Sequence, residues 1–167
     1  SFNVEPEVPD GLNFTNGTIF GIPTVNSSLV QYNITAINNG GSDFFLLNIT
    51  ILEPVAILDV ETNYFELTRS ETEMNLTLNN TGGMVATWEV YPELPNGLIF
   101  GNGTITGVPT VNSSLATYEI FANNTGGSAS ILINIKILEP AANISYSTTQ
   151  FLTLIHISEP TRLRTIS

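Results

Sequence analysis

The chain has 167 residues, with 15 acidic against 4 basic side chains, one histidine, no cysteine and a formal net charge of -11. Without cysteine there are no thiol nucleophiles, disulfides or Cys-bearing zinc and iron–sulfur sites, and the acidic balance argues against nucleic acid or anionic lipid, which are held by clustered Lys and Arg. A hydrophobic content of 42% is ample for a packed core in one domain or two small ones.

Ser1 lies directly in patterned sequence, with no initiator Met, basic n-region or apolar h-region, which reads as a cut through a longer protein. No run of about 18 apolar residues occurs, so no segment is expected to span a membrane. Leucine, isoleucine, threonine and asparagine carry the composition, which has a β-rich, extracellular character.

Residues 1–54 return without a gap as residues 87–140, with 33 of 54 positions identical at an offset of 86. A repeat on this scale decides the architecture, one period being one domain. In the first copy, Tyr32, Ile34 and Ala36 recur as Tyr118, Ile120 and Ala122, while the alternate positions Gln31, Asn33 and Thr35 change to Thr117, Glu119 and Phe121. The unchanged face is therefore expected to be the buried one. Gly40-Gly41 supplies a hairpin connection that tolerates positive φ, and Phe45, Leu47, Ile49 and Ile51 then alternate with the period of a strand that keeps one face on the core. Residues 1–54 thus form the C-terminal part of a truncated unit, closed by Ile-Leu-Glu-Pro at Pro54.

Residues 55–140 form a complete unit. Its strands are expected at Ala56–Val60, Tyr64–Thr68, Glu73–Asn79, Val85–Tyr91, Gly97–Phe100 and Thr104–Thr106, followed by the counterparts of the two strands above. The last carries Ile131, Ile133, Ile135 and Ile137 on one face, and the unit again closes in Ile-Leu-Glu-Pro, at Pro140. No window of helical length has apolar spacing of three and four, so the class is all-β and the arrangement an antiparallel β-sandwich.

Residues 141–153 open a third unit, in which Thr148 and Phe151 match Thr62 and Phe65. Residues 154–167 are of another kind. Leu154 to Arg162 are what the codons CTT ATA CAC ATC TCC GAG CCC ACG AGA encode, a stretch that resembles a transposase-type sequencing-library adapter, so this tail is expected to be non-native. Without it the chain has 14 acids against Arg69 and Lys136, a net charge of -12, and no histidine.

The motif Leu94-Pro95-Asn96-Gly97-Leu98, then Gly103-Thr104-Ile105-Thr106-Gly107-Val108-Pro109, then Tyr118 through Asn123 with its glycine turn and final strand, resembles the Ig-like repeats of large microbial surface proteins. These are related to cadherin-like sandwiches. The resemblance covers nearly all of residues 1–140 and implies tandem Ig-like, seven-stranded sandwiches on a cell surface or in a secreted protein, not an enzyme. Gly97, Gly103 and Gly107 would allow tight corners, and Pro95 and Pro109 would stiffen strand ends. Glu-Pro at 53–54 and 139–140 makes a connector with few free torsions, which favours a rod over loosely tethered beads.

Catalysis has little to work with, since the Ser and Thr hydroxyls lack a natural Cys or His partner. Glu71 with Glu73, or Asp59 with Glu61, offers a carboxylate pair of the kind glycosidases use, but on strands this spacing is more often a solvated face. The cofactor expectation is none, with calcium the one alternative. Glu53, Asp59 and Glu61 flank the intact junction as hard oxygen ligands for calcium, yet Asp59 and Glu61 become Ser145 and Ser147 at the next junction, and among the aligned acids only Glu7/Glu93 and Glu53/Glu139 recur.

Asn-X-Ser/Thr acceptors stand at Asn13, Asn16, Asn26, Asn33, Asn48, Asn75, Asn79, Asn102, Asn112, Asn123 and Asn143, eleven where chance supplies about four. They mark either glycosylation or an exposed polar face. Trp88 replaces Phe2 and is read as a core aromatic. The resulting expectation is a non-catalytic spacer that also serves adhesion, with a calcium-rigidified cadherin-like array and an accessory module of a large secreted enzyme as alternatives. Its partners would be neighbouring repeats of the same chain, another surface protein or a glycan.

Overall fold

The computed structural model describes residues 1–145, so Thr148 and Phe151 of the expected third unit and the adapter-like residues 154–167 lie outside the described residues. All regular elements among them are strands: β1 (Phe2–Glu5), β2 (Leu12–Thr15), β3 (Thr18–Gly21), β4 (Ser27–Asn38), β5 (Gly41–Ile51), β6 (Leu58–Asp59), β7 (Tyr64–Thr68), β8 (Met74–Thr77), β9 (Asn79–Asn80), β10 (Thr87–Tyr91), β11 (Leu98–Gly101), β12 (Thr104–Gly107), β13 (Ser113–Asn124) and β14 (Gly127–Leu138). There is no helix long and apolar enough to cross a membrane among them.

In the second unit one sheet runs β10-β13-β14-β7 and the other runs β11-β12-β8, extended by the short pair β6-β9. This is an Ig-like sandwich whose first strand is divided between the two sheets. The expected strand Tyr64–Thr68 stands as read. Ala56–Val60 shortens to the two residues of β6, and Glu73–Asn79 is interrupted at Leu78 into β8 and β9.

The sandwich is not wholly antiparallel. β7 runs parallel to β14, with Asn134 opposite Tyr64 and Leu138 opposite Thr68. The chain passes from one sheet to the other between Asp59 and Tyr64 without reversing, so it meets the edge of β14 pointing the same way.

The face that stays unchanged between copies is the buried one. Tyr118, Ile120 and Ala122 from β13 and Ile133, Ile135 and Ile137 from β14 are buried, as are Leu67 beside them on β7 and Met74, Leu76, Leu98 and Ile105 from the other sheet. Full burial of each such aliphatic side chain contributes about 1.5–3 kcal/mol before conformational entropy is set against it. Trp88 packs on this core from its margin and meets Phe100 edge to face, with ring centroids 6.3 Å apart.

The β11–β12 hairpin turns on Asn102-Gly103, both with positive φ (49° and 72°), and β2–β3 turns likewise on Asn16-Gly17 (51° and 81°). These are the two left-handed residues that a two-residue type I′ hairpin requires, which is why Asn-Gly recurs there. A side chain on Gly103 would also press on the Trp88 ring, and one on Gly17 on the Phe2 ring.

The first unit has β1-β4-β5 as one sheet and the pair β2-β3 as the other, the counterparts of β10-β13-β14 and β11-β12. Nothing in it corresponds to β6–β9. Of the fourteen buried hydrophobic residues among the described residues, Tyr32 alone belongs to the first unit.

Candidate functional site

The segment between Ile51 and Leu58 joins the two sandwiches, and five of its polar backbone groups are hydrogen-bonded to turns of the second unit. Glu53 N–H donates to Thr125 Oγ1 at 3.1 Å. Pro54, which has no N–H, offers its carbonyl to Asn124 Nδ2 at 2.7 Å, and the same Nδ2 reaches the Met84 carbonyl at 3.2 Å. The Val55 carbonyl accepts from Gly83 N–H at 3.2 Å, and the Ile57 carbonyl accepts from Thr81 N–H at 3.0 Å. Ile57 N–H donates to Asn80 Oδ1 at 3.0 Å.

Two turns of the second unit therefore receive the connector. Each is shaped by an asparagine that hydrogen-bonds its own backbone, the usual reason for Asn in a turn. Asn80 Oδ1 accepts from Gly82 N–H at 3.0 Å and Asn80 Nδ2 donates to the Gly83 carbonyl at 2.8 Å. Asn124 Oδ1 accepts from Gly126 N–H at 2.9 Å and Gly127 N–H at 3.2 Å.

Glycine is required at the contact itself, because a Cβ on Gly83 would collide with the Pro54 carbonyl oxygen and one on Gly126 with the Glu53 carbonyl oxygen. The Glu53 side chain turns back to the first unit, where its Oε1 accepts from Asn26 Nδ2 at 2.6 Å. One residue thus holds the second unit through its backbone and the first through its carboxylate.

The same receiving turn exists on the first unit. Asn38 Oδ1 accepts from Gly40 N–H at 2.8 Å, as in the second copy. A Cβ on Gly40 would meet only Asn38 Oδ1, at 3.2 Å, and one on Gly41 would meet nothing within 4 Å.

Glu53, Asp59 and Glu61, the candidate calcium ligands, are not gathered into one group. Among the described residues no three Asp, Glu, His or Cys side chains gather into a metal-binding group. Glu53 is engaged with Asn26, while Asp59 and Glu61 are exposed on the stretch that β6 carries away from the junction. Glu71 and Glu73 are likewise exposed.

Of the eleven acceptor asparagines, nine are exposed, while Asn33 and Asn123 are half-buried. Asn26 Nδ2 is held by Glu53, and Asn123 Nδ2 lies 3.5 Å from Thr87 Oγ1. Trp88 lines a shallow open groove of ≈ 460 Å³ with Glu93 and Phe100. A groove of ≈ 340 Å³ at the matching place in the first unit is lined by Val4, Glu7 and Phe14. On the outer face of the second unit, Lys136 Nζ contacts Glu66 Oε2 at 3.0 Å and Tyr64 Oη donates to the same oxygen at 3.1 Å. The Lys136 hydrogen bond, then the Tyr64 hydroxyl, hold the Glu66 carboxyl below its ordinary value, and Glu66 raises Lys136 in return.

Asn80, Asn124 and Thr125 carry the junction, yet none was singled out by sequence reasoning. A local signal exists for both turns, because Asn-X-Gly-Gly occurs at Asn38–Gly41, Asn80–Gly83 and Asn124–Gly127. By itself the pattern marks only a turn, since the partner of the Asn124 turn lies 70 residues away, at Pro54.

No family description and no curated protein matches the chain. Among solved structures it is similar to the N-terminal four Ig domains of Dscam1 isoform 1.9, at 16% identity and a TM-score of 0.42, over 78% of this chain and 33% of that one. It is similar to the titin I-band fragment I67-I69 at 16% identity and a TM-score of 0.40, over 83% of this chain and 56% of that one. An endo-fucoidan hydrolase of glycoside hydrolase family 107 matches at 11% identity and a TM-score of 0.37, over 89% of this chain and 25% of that one. The chain thus spans about a third of the length of the Dscam1 fragment, and the strand pairing, rather than these likenesses, carries the Ig-like fold.

Proposed function

We propose that this chain is a stretch of a tandem Ig-like array that acts as a non-catalytic spacer, holding other parts of a large secreted or cell-surface protein at a fixed distance and offering its sides for adhesion. The laced connector is the observation that carries this reading. Backbone groups at Glu53 and Pro54 are hydrogen-bonded to the following unit, and Val55 and Ile57 at the start of that unit are tied to its own turns, which restricts the rotational freedom a flexible linker would have. The turn at Asn38–Gly41 has the same form as the one that receives Glu53-Pro54 and suits the connector of another unit. A strongly acidic surface keeps such an array soluble at high local density.

Small-angle scattering from arrays of two, three and four copies of residues 55–140 tests the reading. The maximum dimension is expected to grow linearly with unit number. Growth with about the square root of that number, as for flexibly linked beads, would refute it. A catalytic domain in the parent gene would assign the units to an accessory role instead.

The exposed acceptors support glycan attachment in the native protein, with Asn26 spared because Glu53 holds its amide nitrogen. Mass spectrometry of the native surface protein is the measurement. Unmodified peptides at Asn48 and Asn75 would show that these asparagines serve only as a polar face.

A further inference from the structure

The two units carry the same groove. Nine residues line the one that holds Glu7 and Phe14 in the first unit, and the residue 86 positions on from each of them lines the groove that holds Glu93 and Phe100 in the second. Trp88 and Glu89 are added there.

Strand order explains where the groove lies. Its lining comes from β10, from β11 and from the loop between them, and among the described residues each of these strands is the outermost of its sheet, as β1 and β2 are in the first unit. β10 pairs only with β13, and β11 only with β12, so each leaves one backbone edge without a strand. Such an edge is a template for strand addition.

Within the groove, apolar and acidic groups lie side by side. Val90 and Leu94 are half-buried and Leu98 is buried, with Val4, Val8 and Leu12 at the same places in the first unit, and the half-buried Trp88 and Phe100 add aromatic rings. Glu93 stands exposed among them, as Glu7 does in the first unit. Of the two acids that recur between the copies, Glu53 and Glu139 are engaged, by Asn26 and by Arg69, whereas Glu7 and Glu93 have no such partner among the described residues. The two bases found there are used elsewhere, Arg69 by Glu139 and Lys136 by Glu66. No basic residue lines either groove, so the complementary charge has to come from another molecule.

We propose that this groove, once in each unit, receives a lysine or arginine side chain carried on an extended segment of another protein. The aliphatic stem of that side chain lies along the valine and leucine lining while its head meets the carboxylate of Glu93 or Glu7, and the rings of Trp88 and Phe100 attract the same cation. Backbone groups of the segment pair with the open edge of β10 or β1. Asn13, a glycan acceptor, lines the first groove where the second has the exposed Ile99, so a glycan there closes one groove and leaves the other. The site rests on the adhesive part of the function proposed above and gives it a ligand chemistry, while the spacer part stands or falls separately, on scattering.

The test uses the full chain, made without glycans, and the peptide acetyl-Thr-Val-Lys-Val-Thr-amide, with backbone amide shifts read by NMR. Saturable shifts are expected at 4–14 and 88–100, with 64–68 and 74–77 unmoved. Glu93→Gln should weaken binding at 88–100 about fivefold and leave 4–14 as before, and Glu7→Gln should do the reverse. Glu71→Gln, which removes an exposed acid outside both grooves, should change neither. The same peptide with glutamine for lysine should lose at least as much as the groove variants. Absence of localised shifts at millimolar peptide, equal weakening by Glu71→Gln, or undiminished binding of the glutamine peptide would each overturn the proposal. Shifts at 4–14 and 88–100 produced by the neutral oligosaccharide maltohexaose and not by the peptide would also overturn it, assigning the groove to a glycan.

Discussion

Replacing Gly126 with alanine puts a methyl group where the Glu53 carbonyl oxygen lies, whereas the same change at its counterpart Gly40 meets only the Asn38 side chain, at 3.2 Å. Neither residue needs the left-handed region, so the contrast between Gly126→Ala and Gly40→Ala isolates the connector contact from turn geometry. To accommodate the methyl group the connector must withdraw, which breaks the Glu53 N–H to Thr125 Oγ1 bond and strains that from Asn124 Nδ2 to the Pro54 carbonyl. Each such bond contributes about 0.5–1.5 kcal/mol net, and both are exposed, so the loss is about 1–2 kcal/mol of docking free energy. That corresponds to a shift of about 5- to 30-fold in the ratio of docked to undocked joint. Residual dipolar couplings of the two units, with amide exchange at Glu53, read it directly. Gly126→Ala should decouple the alignment of the units and speed exchange at Glu53, while Gly40→Ala leaves both unchanged. Equal behaviour of the two variants would refute the docked joint.

Ile135 and Ile49 are the same residue in the two copies, buried in one and half-exposed in the other. Ile135→Ala should lower the stability of the second unit by about 2–5 kcal/mol in urea unfolding, and Ile49→Ala should cost well under half of that. Comparable losses would contradict the difference in burial. Burial raises the Tyr118 phenol above its ordinary value, so its contribution is whole below the unfolded value of about 10 and is lost as pH rises through the higher folded one. The urea midpoint of the parent chain should therefore fall more steeply than that of Tyr118→Phe from neutral pH to about pH 11, and parallel curves would count against it. The Glu66 contribution has the opposite sense, present above the unfolded carboxylate value and lost as pH falls through the depressed one, and Lys136→Met should flatten the acid limb only slightly because the pair is exposed. Calcium at millimolar concentration should leave the melting temperature of the chain unchanged, and a saturable rise of several degrees would show that Glu53, Asp59 and Glu61 do act together.

The sequence carried much of this, for identifiable reasons. Duplication made each copy a control for the other, so positions that vary between Gln31/Thr117 and Asn33/Glu119 separated the solvent face from the Tyr118, Ile120 and Ala122 face without any structure. Alternation in the last strand and the Asn-Gly and Gly-Gly pairs located hairpins because these depend on neighbours within a few residues. Junction chemistry is another matter. Asn124 and Pro54 are 70 positions apart, and nothing local in either marks the other.

What the sequence determined by itself was the period, the all-β class and most strand positions, all of which follow from interactions short in sequence or from comparison of copies. The tertiary structure alone decided that β7 crosses over to run parallel with β14, that the acids around the connector stay apart, and that the connector is hydrogen-bonded to two turns. It also decided how completely the core of the second unit closes, with Ile105, Ile120, Ile133 and Ile135 fully buried. Burial depends on which strands lie opposite, and that is a property of the assembled sandwich rather than of any residue in it.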